Sequence, residues 1–202
     1  MMKRKLKLKV PSIEGIILII LVALVIANSW SNRLINIKEN TTMLTNYQHQ
    51  YEVNKEKEIA QIENILSRVN RSLPDSKISA YANAIWNSSE KYGIEAKLFL
   101  CIVIMESGAK DYVISSAGAI GVAQIMPFHI NMLISKGIFN NQRDFYDGVK
   151  SIEAGAYIYS IYYKWAKGDN LKASAAYNAG PGNWRKGLGY AGKVLRIQEK
   201  YW

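Results

Sequence analysis

One cysteine, two histidines and four prolines are all that this chain of 202 residues offers of those types. A lone cysteine, Cys101, excludes an intrachain disulfide and any Cys-based metal site. It sits inside an apolar run, where it reads as a small buried hydrophobe. His49 lies in a polar stretch and His129 shortly after Pro127. Neither belongs to a metal-spaced cluster or to a Ser/His/Asp or Cys/His set, which disfavours metal and nucleophilic-triad chemistry; no cofactor is expected. Strand patterns are scarce too. Only Tyr112–Ser115 and Ala119–Val122 offer segments that pair as a small hairpin.

Charge is present in excess of one sign. Basic residues number 26 against 16 acidic, for a net charge of +10. Residues 1–12 carry five of the basic groups (Lys3, Arg4, Lys5, Lys7, Lys9), residues 28–75 balance, and residues 76–202 keep an excess of +6. That excess favours a polyanionic partner such as nucleic acid, anionic lipid or cell-wall polymer, or serves solubility alone.

The chain divides by composition. After the basic start, Ile13–Ala27 is almost wholly apolar. Fifteen helical residues span roughly 22 Å, and extension from Val10 to Trp30 reaches about 30 Å, the thickness of a hydrocarbon core. Residues 1–30 therefore read as a signal-anchor or transmembrane segment with its basic end inside and Trp30 at the interface. A cleavable signal peptide, cut after Val25 and Ala27, is the competing reading. Residues 31–74 are polar, with Ile59, Ile62, Leu66, Val69 and Leu73 in steps of three and four. This spacing predicts a helical stalk or linker, or a helix packed onto the domain that follows. From Asp75 the pattern is helical. Ser76 is the expected cap of a helix carrying Ile78, Tyr81, Ala82, Ile85, Trp86 and Ser89 on one face. Further helices are expected over 96–106, 127–137, from Asp144 or Asp147 to Trp165, over 170–179 and over about 190–201.

The stretch 96–127 carries the strongest signal. Counting back from Glu106 gives Val103, Ile102 and Phe99 at i−3, i−4 and i−7, so this carboxylate lies on an apolar stripe. Burial raises a carboxyl pKa, and so does the negative end of a helix ended by Gly108. Such a group holds a proton near neutral pH and acts as a general acid. The plain alternative is a Glu at a helix end whose head reaches water. No second carboxylate is evident around the loop; Asp111 lies nearby with no obvious partner.

Three ordered blocks resemble the soluble lytic transglycosylase family, lysozyme-like enzymes that cleave peptidoglycan. The first is Glu106-Ser107, Ser115, Gly118-Ala119-Ile120-Gly121, Gln124 and Met126-Pro127. The second is Ile152, Gly155 and Tyr157. The third is Ala175-Ala176-Tyr177-Asn178-Ala179-Gly180-Pro181-Gly182, and Tyr190 with Val194 is similar to the closing element of the family. The resemblance implies a mainly α domain of the α+β lysozyme-like type over 75–202, helical and two-lobed with at most a small hairpin. It also implies Glu106 as the catalytic residue, with Ser115, Gln124, Met126, Tyr177, Asn178 and Tyr190 as substrate-binding residues. Three departures stand out. Ala123 replaces the usual Met, which implies a larger or softer cleft wall; Ser151 replaces Asn; and Gly182–Tyr190 is shorter than the usual loop.

A glycosidase with two carboxylates uses one as acid and one as base or nucleophile. One carboxyl group suffices where the substrate supplies the nucleophile. The resemblance implies that Glu106 protonates the oxygen between N-acetylmuramic acid and N-acetylglucosamine, then deprotonates the muramic acid 6-hydroxyl to close a 1,6-anhydro ring. The expected partners are peptidoglycan strands and, through the N-terminal helix, a membrane, without nucleic acid. The domain is expected outside the cytoplasm, anchored or secreted. A muramidase that admits water and a weakly catalytic wall-binding scaffold are the alternatives.

Overall fold

The computed structural model describes residues 13–202. The basic start over 1–12 lies outside the described residues. Among the described residues seven α-helices follow in order: α1 Ile13–Val69, α2 Asp75–Tyr92, α3 Ala96–Ser107, α4 Ile130–Ser135, α5 Gly148–Trp165, α6 Asn170–Ala179 and α7 Leu188–Tyr201. Short 3-10 turns lie at Pro127–His129, Gln142–Tyr146 and Pro181–Gly187. Contacts divide the chain into two units, with a break after Asn54.

In the first unit, the early turns of α1 are apolar apart from Glu14. Leu18, Ile19, Leu24 and Val25 are exposed, and the helix is long and apolar enough to cross a membrane by length and composition. Further on, the Thr41, Thr42 and Thr45 hydroxyls donate to carbonyls four residues back, as threonines inside a helix do.

The second unit begins at Lys55, ahead of the boundary at residue 75 drawn from composition. The reason is burial: Ile62, Ile65, Leu66 and Leu73 join one core with α2 and α3. The spacing of the isoleucines and leucines therefore serves packing onto the domain along this part of α1. Burying an aliphatic side chain of this size contributes about 1.5–3 kcal/mol.

Two apolar clusters make up the core of this unit. The larger gathers Leu98, Phe99, Ile102 and Val103 of α3 with Ile85, Ile152 and Tyr159. The smaller holds Ala123, Ile125, Leu133, Phe139, Phe145, Ala154 and Ile158. Helix α5 feeds both, because Ile152 and Tyr159 face one cluster while Ala154 and Ile158 face the other. Cys101 is fully buried in α3, and burial pushes its thiol up to about 12.

Helix ends differ in detail from the sequence expectation. Pro74, not Ser76, precedes α2, and its side chain has no hydroxyl to cap with. Asp147 does cap α5, accepting from Lys150 N. Among the described residues the expected hairpin is reduced to isolated antiparallel bridges, Ile114 with Ile120 and Ile120 with Ile125. Gly118 and Gly121 at positive φ turn the chain too tightly between them for continuous strands.

Candidate active site

Helix α3 brings Glu106 to the rim of the larger core. Phe99, Ile102 and Val103 on its stripe are fully buried, and Glu106, one turn further, is partly exposed. Gly108 then caps the helix in a left-handed conformation, its N–H bonded to Ile104 O at 2.9 Å. Burial raises the Glu106 pKa to about 7, and a hydrogen bond from Tyr190 opposes the rise. The Tyr190 hydroxyl, on α7, donates to Glu106 Oε1 at 2.6 Å. Burial first, then the charge of Glu106, pushes the Tyr190 hydroxyl far above its ordinary range, so it stays a donor.

The loop after α3 folds back through Ser107. Its hydroxyl donates to Val122 O at 2.7 Å and accepts from Lys110 N at 3.2 Å. Ser115 is built into the turn, its Oγ accepting from Ala119 N at 3.0 Å. That leaves its hydroxyl proton free of a partner among the described residues. Gln124 adopts φ 51° and spends its amide nitrogen on Val113 O and Gly121 O, both at 3.0 Å. Its Oε1 remains an acceptor.

Ala123 is held from both sides. Its N–H donates to Ser151 Oγ at 3.1 Å, and its carbonyl accepts from the Tyr177 hydroxyl at 2.8 Å. Ala123 is fully buried, so the expectation that it shapes the cleft wall is corrected: its methyl packs inward against Gly155. A Cβ at Gly155 would lie 2.6 Å from Ala123 Cβ and 3.0 Å from the Tyr177 hydroxyl. The small pair Ala123 and Gly155 thus lets the loop approach α5. Ser151 meets the loop at its backbone, which a short hydroxyl reaches from a buried helix position.

Gln124, Met126 and Tyr177 line one small pocket with Ile125, His129, Ile158 and Tyr162. The sequence motifs did not single out His129 or Tyr162 for this place; both come from segments whose relative position only folding decides. Tyr177 is tied to Ala123 O and packs against the Tyr159 and Tyr162 rings. Asn178 is exposed near the end of α6. Asp111, without an obvious partner in the sequence, pairs with Lys77 of α2. Glu153 is likewise engaged by Lys91 and Tyr92, and Asp144 by Lys150. Burial and Tyr190 account for the Glu106 shift, and no second carboxylate contributes among the described residues.

The sequence profile of the Transglycosylase SLT domain family matches residues 83–199. The chain belongs to this family. Among curated relatives, a membrane-bound lytic murein transglycosylase C of Haemophilus influenzae is 30% identical over 128 residues, covering 58% of this chain and 33% of that protein. A protein of the same name from Edwardsiella ictaluri is 29% identical and covers 61% of this chain and 34% of its own length. The chain therefore spans about a third of the length of the curated relatives it matches. Among solved structures, an inactive mutant of the lytic transglycosylase Slt from Pseudomonas aeruginosa superposes with a TM-score of 0.55 at 22% identity, over 59% of this chain and 23% of that one. At that identity the likeness concerns the SLT fold alone. The family match begins after α1 and the first turns of α2, so Lys55–Ala82 of the compact unit precedes it.

Proposed function

We propose that this protein is a peptidoglycan lytic transglycosylase in which Glu106 acts first as acid and then as base. The observation that carries the reading is the isolated, partly buried Glu106 with its pKa raised to about 7, held by Tyr190, in a chain of the SLT family. A carboxyl group near pH 7 is protonated often enough to donate and basic enough to take a proton back. In the first step Glu106 gives its proton to the oxygen linking N-acetylmuramic acid to N-acetylglucosamine, and that bond to C1 breaks. In the second, the Glu106 carboxylate removes the proton of the muramic acid 6-hydroxyl, whose oxygen bonds C1. Glu106 ends protonated, and no water is consumed.

Supporting roles follow from chemistry. Tyr190 orients Glu106 and stabilises its charged form. The unspent hydroxyl proton of Ser115 and the Oε1 of Gln124 offer a donor and an acceptor to sugar hydroxyl and acetamido groups. Met126 offers a soft apolar surface for a sugar face. Tyr177 holds Ala123, and the exposed Asn178 faces solvent, where a glycan strand arrives. The curated relatives are named murein transglycosylases, which supports peptidoglycan as the substrate. The apolar start of α1 supports a single-pass membrane anchor, with the compact unit that begins at Lys55 as the enzymatic part outside the cytoplasm; a mature chain beginning at Asn28 would instead mean secretion.

The test is the mass of the products. The full chain, incubated with purified sacculi, releases 1,6-anhydro-muropeptides. Products heavier by one water identify a hydrolase, and the absence of soluble product leaves the scaffold reading.

A further inference from the structure

The chain ahead of the family match reaches the backbone of the turn that follows Glu106. Asn70 follows the last turn of α1 and is 8% exposed. Its Oδ1 accepts from Ser72 N at 3.3 Å and from the Ser72 hydroxyl at 2.8 Å. Those two bonds orient the amide, so Nδ2 is turned away from them, and it donates to Ala109 O at 3.1 Å in a buried setting. Ala109 is fully buried and has φ 59°, directly after Gly108 at φ 62°. Two consecutive left-handed residues, one of them not glycine, persist only where surrounding bonds hold them.

A second tie comes from α2. Lys77 pairs with Asp111, and its ammonium lies 6.0 Å from the centre of the Tyr112 ring. Asp111 Oδ1 is buried without a hydrogen bond among the described residues, so the bond at Oδ2 is what anchors this carboxylate. Between the two ties, Lys110 N donates to Ser107 Oγ, whose hydroxyl holds Val122 O. The ties thus bracket the reverse turn that follows Glu106 and Ser107 at the end of α3. They are not explained by the family blocks, since Asn70 and Lys77 both precede residue 83, where the match starts.

We propose that Asn70 and Lys77 are positioning residues for the reaction, fixing the Gly108–Asp111 turn and through it the placement of Glu106. The segment 70–77 is on this view part of the enzyme rather than a spacer ahead of it. The proposal rests on Glu106 being the acid of the reading above, and its test separates the two. Misplacing a catalytic group by about 1 Å costs on the order of a hundredfold in rate.

The experiment uses the full chain with Asn70→Ala, Lys77→Ala and Lys77→Arg, and with Ser67→Ala as a control that removes a local bond to Asn64 O on the same helix. Turnover and KM are measured on sacculi. Independently of activity, the Glu106 carboxyl is titrated by carbon-13 NMR, with Tyr190 and Tyr177 as the groups that face it from α7 and α6. Asn70→Ala is expected to lower kcat about tenfold to a hundredfold with KM within about twofold, and to move the Glu106 titration. Lys77→Ala acts in the same direction with less effect, and Lys77→Arg recovers most of the loss. Because Lys77 is partly exposed, its variants keep the fold if Asn70→Ala does not. Unchanged kcat and unchanged titration in Lys77→Ala, or a loss confined to thermal stability, overturns the proposal. If the wild-type chain releases nothing from sacculi but the titration moves in the variants, the functional reading fails and the positioning stands.

Discussion

The Tyr190 hydroxyl meets Glu106 Oε1 at 2.6 Å across 84 positions of sequence. One residue lies in the last turn of α3 and the other in the first turn of α7, so docking of the last helix brings the pair together. The bond favours the charged form of Glu106, while burial favours the neutral form and prevails. The net position near pH 7 is a balance that single substitutions shift.

Tyr190→Phe removes the opposing effect and leaves burial. The Glu106 pKa is then expected to rise above about 7, moving the alkaline limb of the pH profile of kcat/KM upward, because the acid keeps its proton longer. A loss of orientation lowers turnover about tenfold at the optimum. The pH profile on a soluble glycan substrate measures both. A limb displaced downward contradicts the role given to Tyr190.

Glu106→Gln is expected to abolish nearly all turnover, since an amide donates no comparable proton, and yet to stabilise the fold in alkali. The sign follows from linkage: with a folded pKa near 7 and an ordinary unfolded value near 4.5, the native state binds more protons than the unfolded state between those values. Stability conferred by the wild-type Glu therefore declines as pH rises from about 4.5 and levels off above about 7. Partial exposure limits the difference to about 1–3 kcal/mol. Thermal melts of both proteins at pH 4.5 and pH 8 show the variant gaining on the wild type at the higher pH. Equal gains at both values, or retained turnover, refute the assignment.

Gly155→Ala adds a methyl group in mid-helix, where propensity alone favours Ala by about 1 kcal/mol. The added carbon nevertheless falls 2.6 Å from Ala123 Cβ. Overpacking of this kind costs about 1–3 kcal/mol, so net destabilisation is expected. Displacing Ala123 also disturbs its bonds to Ser151 and Tyr177, and turnover falls with stability. Urea denaturation read alongside kcat distinguishes this from a neutral change.

Truncation tests where the compact unit begins. A chain starting at Lys55 retains Ile62, Ile65 and Leu66 in the core, whereas one starting at Asp75 loses these and Leu73. Each is worth about 1.5–3 kcal/mol, which together approaches the whole stability of an ordinary domain. The shorter chain is expected to be aggregated or largely unfolded by circular dichroism, and the longer one to melt cooperatively. Equal stability of the two would show that the α1 segment is dispensable.

Local pattern was enough to mark most of the helices and the half-buried Glu106 near the end of α3. The apolar stripe of α3, the left-handed Gly108 and the ordered family blocks are short-range features, and short-range physics places Glu106 at a half-buried helix end. Periodicity likewise revealed an apolar seam from Ile59 to Leu73, but its partner could not be read there. The same spacing suits a stalk and a packed helix, and only the presence of α2 and α3 alongside decides between them. Ala123 shows the same limit: nothing local tells a cleft-facing alanine from one pinned between Ser151, Gly155 and Tyr177. The Tyr190–Glu106 bond, the Asn70 tie to Ala109 and the Lys77–Asp111 pair join residues far apart in the chain. Tertiary packing alone decided them, because a hydrogen bond depends on ångström-scale distance and direction that no spacing along the sequence encodes.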